Sequence, residues 1–338
     1  MAKYKTHLFI LLAGLMAMGV VAVTSRYFGE MKAARQALDA LGSQVIETEC
    51  GPIEYARAGE GYPLLAVHGA LGGFDAGLMV AQPAIAAGYQ VISISRFGYL
   101  RSPLPENAGV DGQAEAFACL LDELEIRQAA VLAVSGGATS AIRFTARYPQ
   151  RVSALILLSP AAPGDVQVAP PPEAALTLMR SDFVYWAMLT YLKPVMQRMI
   201  GVPQGFVLTP QTDAEVKEIL AATLPSSQRM DGFYLDNFGV TPDFYAEISE
   251  SSPYSVYTIK TPVLVIHALD DPLAAPENVR GLAEKFPRAR LYEVPDGGHL
   301  LLGHSEEMWS QMMHFLRSHA AVASGSRQLG ESEDRDGR

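Results

Sequence analysis

Three apolar runs in this chain end beside residues that can attack a carbonyl or carry a proton. Val131-Leu132-Ala133-Val134 leads into Ser135-Gly136-Gly137-Ala138, where a helical pattern begins. Pro262-Val263-Leu264-Val265-Ile266-His267 leads into Ala268-Leu269-Asp270-Asp271-Pro272. Ala289-Arg290-Leu291-Tyr292-Glu293-Val294 is followed by Pro295-Asp296-Gly297-Gly298-His299. Serine is a weak nucleophile at neutral pH, so an imidazole must take its proton as attack proceeds. A carboxylate then holds the ring in the right tautomer and stabilises the imidazolium. Ser135, His299 and either Asp270 or Asp271 therefore form a candidate set for acyl transfer. A strand that turns sharply into a helix strains the turning residue, and only small neighbours such as Ala133 and Gly137 fit beside it. The turn aims the Ser135 hydroxyl outward, and the helix N-terminus behind it favours developing negative charge.

Upstream, Leu64-Leu65-Ala66-Val67 opens into His68-Gly69-Ala70-Leu71-Gly72-Gly73. Glycines let the backbone approach a substrate and expose its N–H groups. The N–H of Ala70 is expected to pair with that of Gly136 as an oxyanion hole. His68 reads as a buried histidine that shapes this loop, not as a base. His267 is expected to hydrogen-bond beside the acid loop and His304 to begin a surface helix. Arg96 reads as a tie to the backbone. No metal-ligand spacing occurs, and Gly69 to Gly73 lacks the lysine of a phosphate-cradling loop, so no cofactor is expected.

These side chains need a scaffold, and apolar patterning supplies one. Strands are expected near 45–49, 52–58, 63–68, 90–95, 129–134, 153–159, 262–267 and 290–294, with helices near 76–87, 111–124, 137–148, 275–286 and 305–319. Strands alternating with helices imply an α/β fold with a mostly parallel sheet, whose first strands are free to run antiparallel. Ligands of such sheets bind at the carboxyl ends of the strands, where all three triad candidates fall.

Taken in order, these motifs give the chain a resemblance to the α/β-hydrolase superfamily over roughly residues 45 to 318. The residues that carry it are His68-Gly69 with Gly72-Gly73, Ser95-Arg96-Phe97-Gly98-Tyr99-Leu100-Arg101-Ser102, the Ser135 elbow, His267 to Pro272, and Gly297-Gly298-His299. The chain order serine, acid, histidine is also that of the α/β-hydrolase arrangement. The resemblance implies that Asp271 takes the acid role, with Asp270 as the second candidate. Ala133, Ala268 and Phe97 depart from common family residues without touching a reacting atom. Serine in place of aspartate at the nucleophile argues against haloalkane dehalogenase and epoxide hydrolase chemistry.

The resemblance further implies a helical cap at 161–257, inserted between core segments 45–160 and 258–320. The cap's run from Ser181 to Tyr191 is apolar nearly all round, which argues for burial. Some of Phe183, Trp186, Met188 and Met199 are expected to line an apolar pocket. The expected activity is that of an esterase- or lipase-like serine hydrolase, cleaving a small to medium apolar carboxylic ester through an acyl-enzyme. The same triad also serves C–C bond hydrolysis, proline iminopeptidase-like amide cleavage and perhydrolysis. A receptor that binds a ligand without turning it over is the non-enzymatic alternative.

The ends of the chain form separate segments. Lys3 and Lys5 precede the uncharged run Leu8 to Val23, and Arg26 closes it. Residues 1–25 therefore read as a membrane anchor or a signal segment, with a linker helix over 26–44. Bulky Val21 and Val23 flank Ala22 and make a poor cleavage site. That favours an anchor with the catalytic domain periplasmic; a cleaved segment would make the protein secreted. The tail 321–338 is expected to be disordered. A formal charge of −10, from 26 basic and 36 acidic residues, argues against a nucleic-acid partner. Cys119, in a helical pattern, reads as a buried free thiol, with a bridge to Cys50 left open.

Overall fold

Each of the eight apolar runs becomes a strand of one sheet. The computed structural model describes residues 2–106, 108–164, 172–241, 244–245, 252 and 255–330. The strands are β1 (Gln44–Thr48), β2 (Gly51–Ala58), β3 (Tyr62–Val67), β4 (Tyr89–Ile94), β5 (Ala129–Val134), β6 (Val152–Leu158), β7 (Val263–Ala268) and β8 (Ala289–Val294). Their spatial order is β1-β2-β4-β3-β5-β6-β7-β8. β1 with β2 and β2 with β4 run antiparallel, and every pair from β4 to β8 is parallel.

Side chains alternate across each strand, so the sheet carries two cores. Leu65 and Val67 face a cluster with α3 (Val110–Glu123), α4 (Gly137–Arg147) and α10 (Pro276–Ala283). Leu64 and Ala66 face the opposite cluster, with α2 (Phe74–Ala86) and α11 (Ser305–Gly330). Burial on both faces is why the central strands read as unbroken apolar runs. α11 continues past residue 321, where the sequence predicts disorder. Residues 331–338 of that expected tail lie outside the described residues.

Between β6 and β7 the chain forms α5 (Glu173–Arg180), α6 (Asp182–Tyr191), α7 (Lys193–Met199), α8 (Pro210–Ala221) and α9 (Met230–Leu235). Their buried residues Tyr185, Trp186, Met196 and Val216 form a third cluster, joined by Leu71 and Leu302 of the core.

At the N-terminus a single helix, α1 (Ala2–Ala40), runs without a break through both the expected anchor or signal segment and the expected linker helix. No proline interrupts the run, and the Thr24 hydroxyl donates back to the Val20 carbonyl at 2.8 Å, so nothing breaks the helix there. From Phe9 it is long and apolar enough to cross a membrane, and none of its apolar stretch is buried in the protein. Its later residues do pack, for Met31 sits within the third cluster. The free-thiol reading of Cys119 is corrected: Cys50 and Cys119 form a disulfide. α3 packs against β1 and β2, which carries Cys119 to the turn that holds Cys50.

Candidate active site

The elbow is built by the end of β5 and the start of α4. Ser135 has φ of 50°, in the left-handed region that costs a residue with a side chain about 1–3 kcal/mol. Hydrogen bonds impose the strain: the Ser135 N–H donates to Leu158 O at 2.9 Å, while its carbonyl accepts from Ala138 N at 3.0 Å. A Cβ on Gly137 would meet the His68 carbonyl at 2.4 Å, and one on Gly69 would meet Ser135 Cβ at 3.1 Å. The glycines thus let the loop after β3 lie directly against the elbow.

Three side chains meet there. The Ser135 hydroxyl donates to His299 Nε2 at 2.8 Å, and His299 Nδ1 faces Asp271 Oδ2 at 2.8 Å. An ionised carboxylate only accepts, so the Nδ1 proton is fixed toward Asp271 and Nε2 is left free to take the serine proton. Burial pushes the Asp271 carboxyl up. The hydrogen bond and charge of His299, with the N–H groups of Leu273 and Ala274, outweigh that and hold it below its usual range. Asp270 serves differently, since its Oδ1 accepts the Gly298 N–H at 2.8 Å. His267 is buried, with its Nδ1 3.7 Å from Asp271 Oδ2. His304 stands at the start of α11 with its Nε2 2.7 Å from Asp296.

The N–H groups of Ala70 and Gly136 lie on the two backbone segments that touch beside Ser135. Among the described residues neither finds an acceptor in the protein, leaving both available to a developing oxyanion. His68 shapes this loop as expected. Its Nε2 accepts the Arg96 N–H at 3.0 Å, so the ring proton lies on Nδ1, which donates to Gly69 O at 2.7 Å. Burial, reinforced by the Arg96 charge, holds its pKa well below 6.5.

Two buried ion pairs, which no motif announces, tie this loop to the cap. Arg96 donates from Nε to His68 O at 3.1 Å and grips Asp236 with both Nη atoms, at 2.5 and 2.6 Å. The Tyr99 hydroxyl donates to the same carboxylate. Arg229 of the cap donates to Gly72 O at 2.6 Å and pairs with Asp75 at the start of α2, at 2.8 Å. Arg96 is thus a tie rather than a substrate-binding cation, and its carboxylate partner comes from the cap.

The expected pocket residues divide. Trp186 is 1% exposed, and its Nε1 donates to Glu30 of α1 at 2.6 Å. Phe183 and Trp186 both pack their rings against Tyr27. α1 therefore takes up the two aromatic residues assigned to the pocket, which the sequence of α6 alone does not reveal. Met188 and Met199 pack on the cluster that contains Leu71 and borders Leu300, the neighbours of Ala70 and His299. Gly201, just beyond α7, seals the cap onto the site: its carbonyl accepts the His299 N–H at 3.1 Å, and a Cβ there would meet His299 Cβ at 2.2 Å. A groove of 1280 Å³ lies next to this seam, between Pro203–Thr212 and the loops holding Asp270, Asp296 and His304.

Comparison with known proteins agrees with this architecture. The model of the alpha/beta hydrolase fold family matches residues 62–304. A poly(3-hydroxyalkanoate) depolymerase of Ectopseudomonas oleovorans is 31% identical over 61% of this chain and 67% of its own length. A 2-hydroxy-6-oxo-6-phenylhexa-2,4-dienoate hydrolase of Comamonas testosteroni is 28% identical over 73% of this chain and 84% of its own. Among solved structures, an alpha/beta hydrolase fold protein from Nakamurella multipartita superposes with a TM-score of 0.65 at 28% identity, covering 82% of this chain and 99% of that one.

Proposed function

The chain belongs to the alpha/beta hydrolase fold family, and from that premise we propose that it is a membrane-anchored serine hydrolase of small to medium apolar carboxylic esters. The observation that carries the reading is the unbroken relay from Ser135 through His299 to Asp271, at 2.8 Å on each side of the imidazole.

In the reaction, Ser135 Oγ attacks the ester carbonyl carbon while His299 Nε2 takes the hydroxyl proton. The carbonyl oxygen becomes an oxyanion, held by the Ala70 and Gly136 N–H groups; losing one such donor costs roughly 100- to 1,000-fold in rate. Collapse of the tetrahedral species breaks the C–O bond, and His299 returns its proton to the leaving alkoxide. Water then attacks the acyl-enzyme with His299 as base, releasing the acid and restoring the Ser135 hydroxyl. Asp271 stays ionised throughout and steadies the imidazolium. Met188 and Met199 are the apolar residues best placed to receive the acyl chain. Their flexible thioethers adapt to varied shapes.

The Ser135→Ala variant should lose p-nitrophenyl ester hydrolysis and labelling by a fluorophosphonate while retaining its fold by circular dichroism. Undiminished turnover in that variant would overturn the assignment. Two observations support an anchored, periplasmic enzyme. The large apolar side chains of α1 from Phe9 to Val21 stand exposed from the rest of the protein. The Cys50–Cys119 disulfide suits an oxidising compartment.

A further inference from the structure

The cap holds α1 through side chains of α6. Arg35 Nη2 lies 3.7 Å from Asp182 at the start of α6. Glu30 meets Trp186 at 2.6 Å, and Arg26 stands over the same ring, its guanidinium carbon 5.9 Å from the centroid. Tyr27 packs its ring against both Phe183 and Trp186, so α1 crosses the first turns of α6 there. The Trp186 ring also meets Tyr191 edge-on, with centroids 6.2 Å apart, which sets the end of α6 beside the ring that Arg26 covers at the edge of the apolar stretch. Val23, the last residue of that uncharged run, itself packs on the cap cluster.

What the protein presents at this level is unusual for a surface in water. Phe28 is 67% exposed, Tyr191 59%, Leu192 47% and Val195 44%. The basic Arg26 and Lys193, paired with Glu30 and Asp213, neighbour them along the chain. Aromatic and basic side chains flanking an apolar span are the composition of a membrane–water boundary. From this edge α7 leads directly to Gly201, whose carbonyl holds the His299 N–H. The seven residues of α7 measure about 10 Å.

We propose that the cap edge formed by Tyr191, Leu192 and Val195, with Phe28 of α1, seats in the headgroup region of the phospholipid bilayer that α1 crosses. The proposal rests on α1 being a membrane span. It gives the cap a second partner besides the core. It also places the rim of the reaction site at the lipid boundary, where apolar esters concentrate.

Nitroxide depth measurement tests both layers of the argument. Because Cys50 and Cys119 are bonded to each other, a spin label attaches only to an introduced cysteine. Full-length Leu15→Cys, Leu192→Cys, Val195→Cys and Val45→Cys proteins would be labelled and reconstituted into phosphatidylcholine–phosphatidylglycerol vesicles. Accessibility to oxygen and to a water-soluble nickel chelate is then compared. Position 15 should favour oxygen and position 45, on β1, the chelate. Positions 192 and 195 should both fall between them, shifted toward oxygen. If position 15 favours oxygen while 192 and 195 match position 45, the seated edge is overturned and the anchor stands. If position 15 favours the chelate, the anchor falls and the seated edge with it.

Discussion

Two adjacent carboxylates follow β7, and their hydrogen bonds assign them different work. Asp271 Oδ2 faces His299 while its Oδ1 accepts the Leu273 and Ala274 N–H groups, so both oxygens are committed. Asp270 instead steadies Gly298, the residue before the histidine. Asp271→Asn should lower kcat by about 10,000-fold, because the amide permits the wrong imidazole tautomer. Asp270→Asn keeps an acceptor for Gly298 and should lose far less; steady-state kinetics of the two variants would check this, and equal losses would refute the division. His68 gives a prediction about pH. Its folded pKa lies well below 6.5, so as pH falls through 6.5 the unfolded chain takes up a proton there and the folded chain does not. The unfolded state then binds more protons, and stability declines on acidification through this window. Histidine-selective nitrogen NMR should find His68 neutral, with its proton on Nδ1, from pH 8 down to the onset of unfolding. Titration of that signal near 6.5 in the folded protein would contradict the buried geometry.

The elements nearest the chemistry are braced from the cap. Arg96 and Arg229 each donate to a carbonyl of the loop after β3, at His68 and Gly72, and each is anchored by a buried carboxylate across the cap–core boundary. Breaking a buried pair by removing one partner leaves an uncompensated charge and costs about 3–5 kcal/mol. Arg229→Met should therefore lower the denaturation midpoint sharply, and adding Asp75→Leu should recover much of the loss. Neither protein retains the donor to Gly72 O, so kcat should stay depressed even where stability returns. Chemical denaturation and kinetics on the single and double variants would check this, and full recovery of kcat would show that the brace does not position the loop. These braces also mark where the sequence stops being readable. The strands, the elbow and the polar residues that follow β5, β7 and β8 are legible because each is a local pattern, an apolar run followed by small and polar residues; the choice of Asp271 over Asp270 comes only from the family resemblance. Arg229, Asp236 and Asp75 belong to no periodicity, and their meaning arises only when residues more than a hundred positions apart meet. α6 shows the same limit from the apolar side. Its pattern declares that Trp186 is buried, but not that α1 rather than substrate covers it.

At the scale of the whole molecule, the first fifty residues are fastened to the enzyme at two places. α1 packs along the cap through Glu30, Met31 and Tyr27, and the Cys50–Cys119 bond ties the β1–β2 turn to α3. Each cysteine alone gave the sequence no partner: a helix interior explains a buried thiol equally well, and pairing depends on how α3 lies across β1. The bond closes a loop with a sequence separation of 69 residues. On the chain-entropy account, a loop of that size raises the free energy of the unfolded state by about 4 kcal/mol. Thiol titration of the denatured, unreduced protein should thus detect no free cysteine, and reduction should release both. The Cys50→Ala/Cys119→Ala protein should still fold and turn over ester, because neither sulfur is near Ser135 in the sheet order, but its denaturation midpoint should fall. Two titratable thiols before reduction would mean that the bond does not form, and would remove the oxidising-compartment argument for a periplasmic catalytic domain. A lower midpoint with unchanged kinetics would show that the disulfide acts on the scaffold alone, fixing the edge of the sheet from which α1 departs.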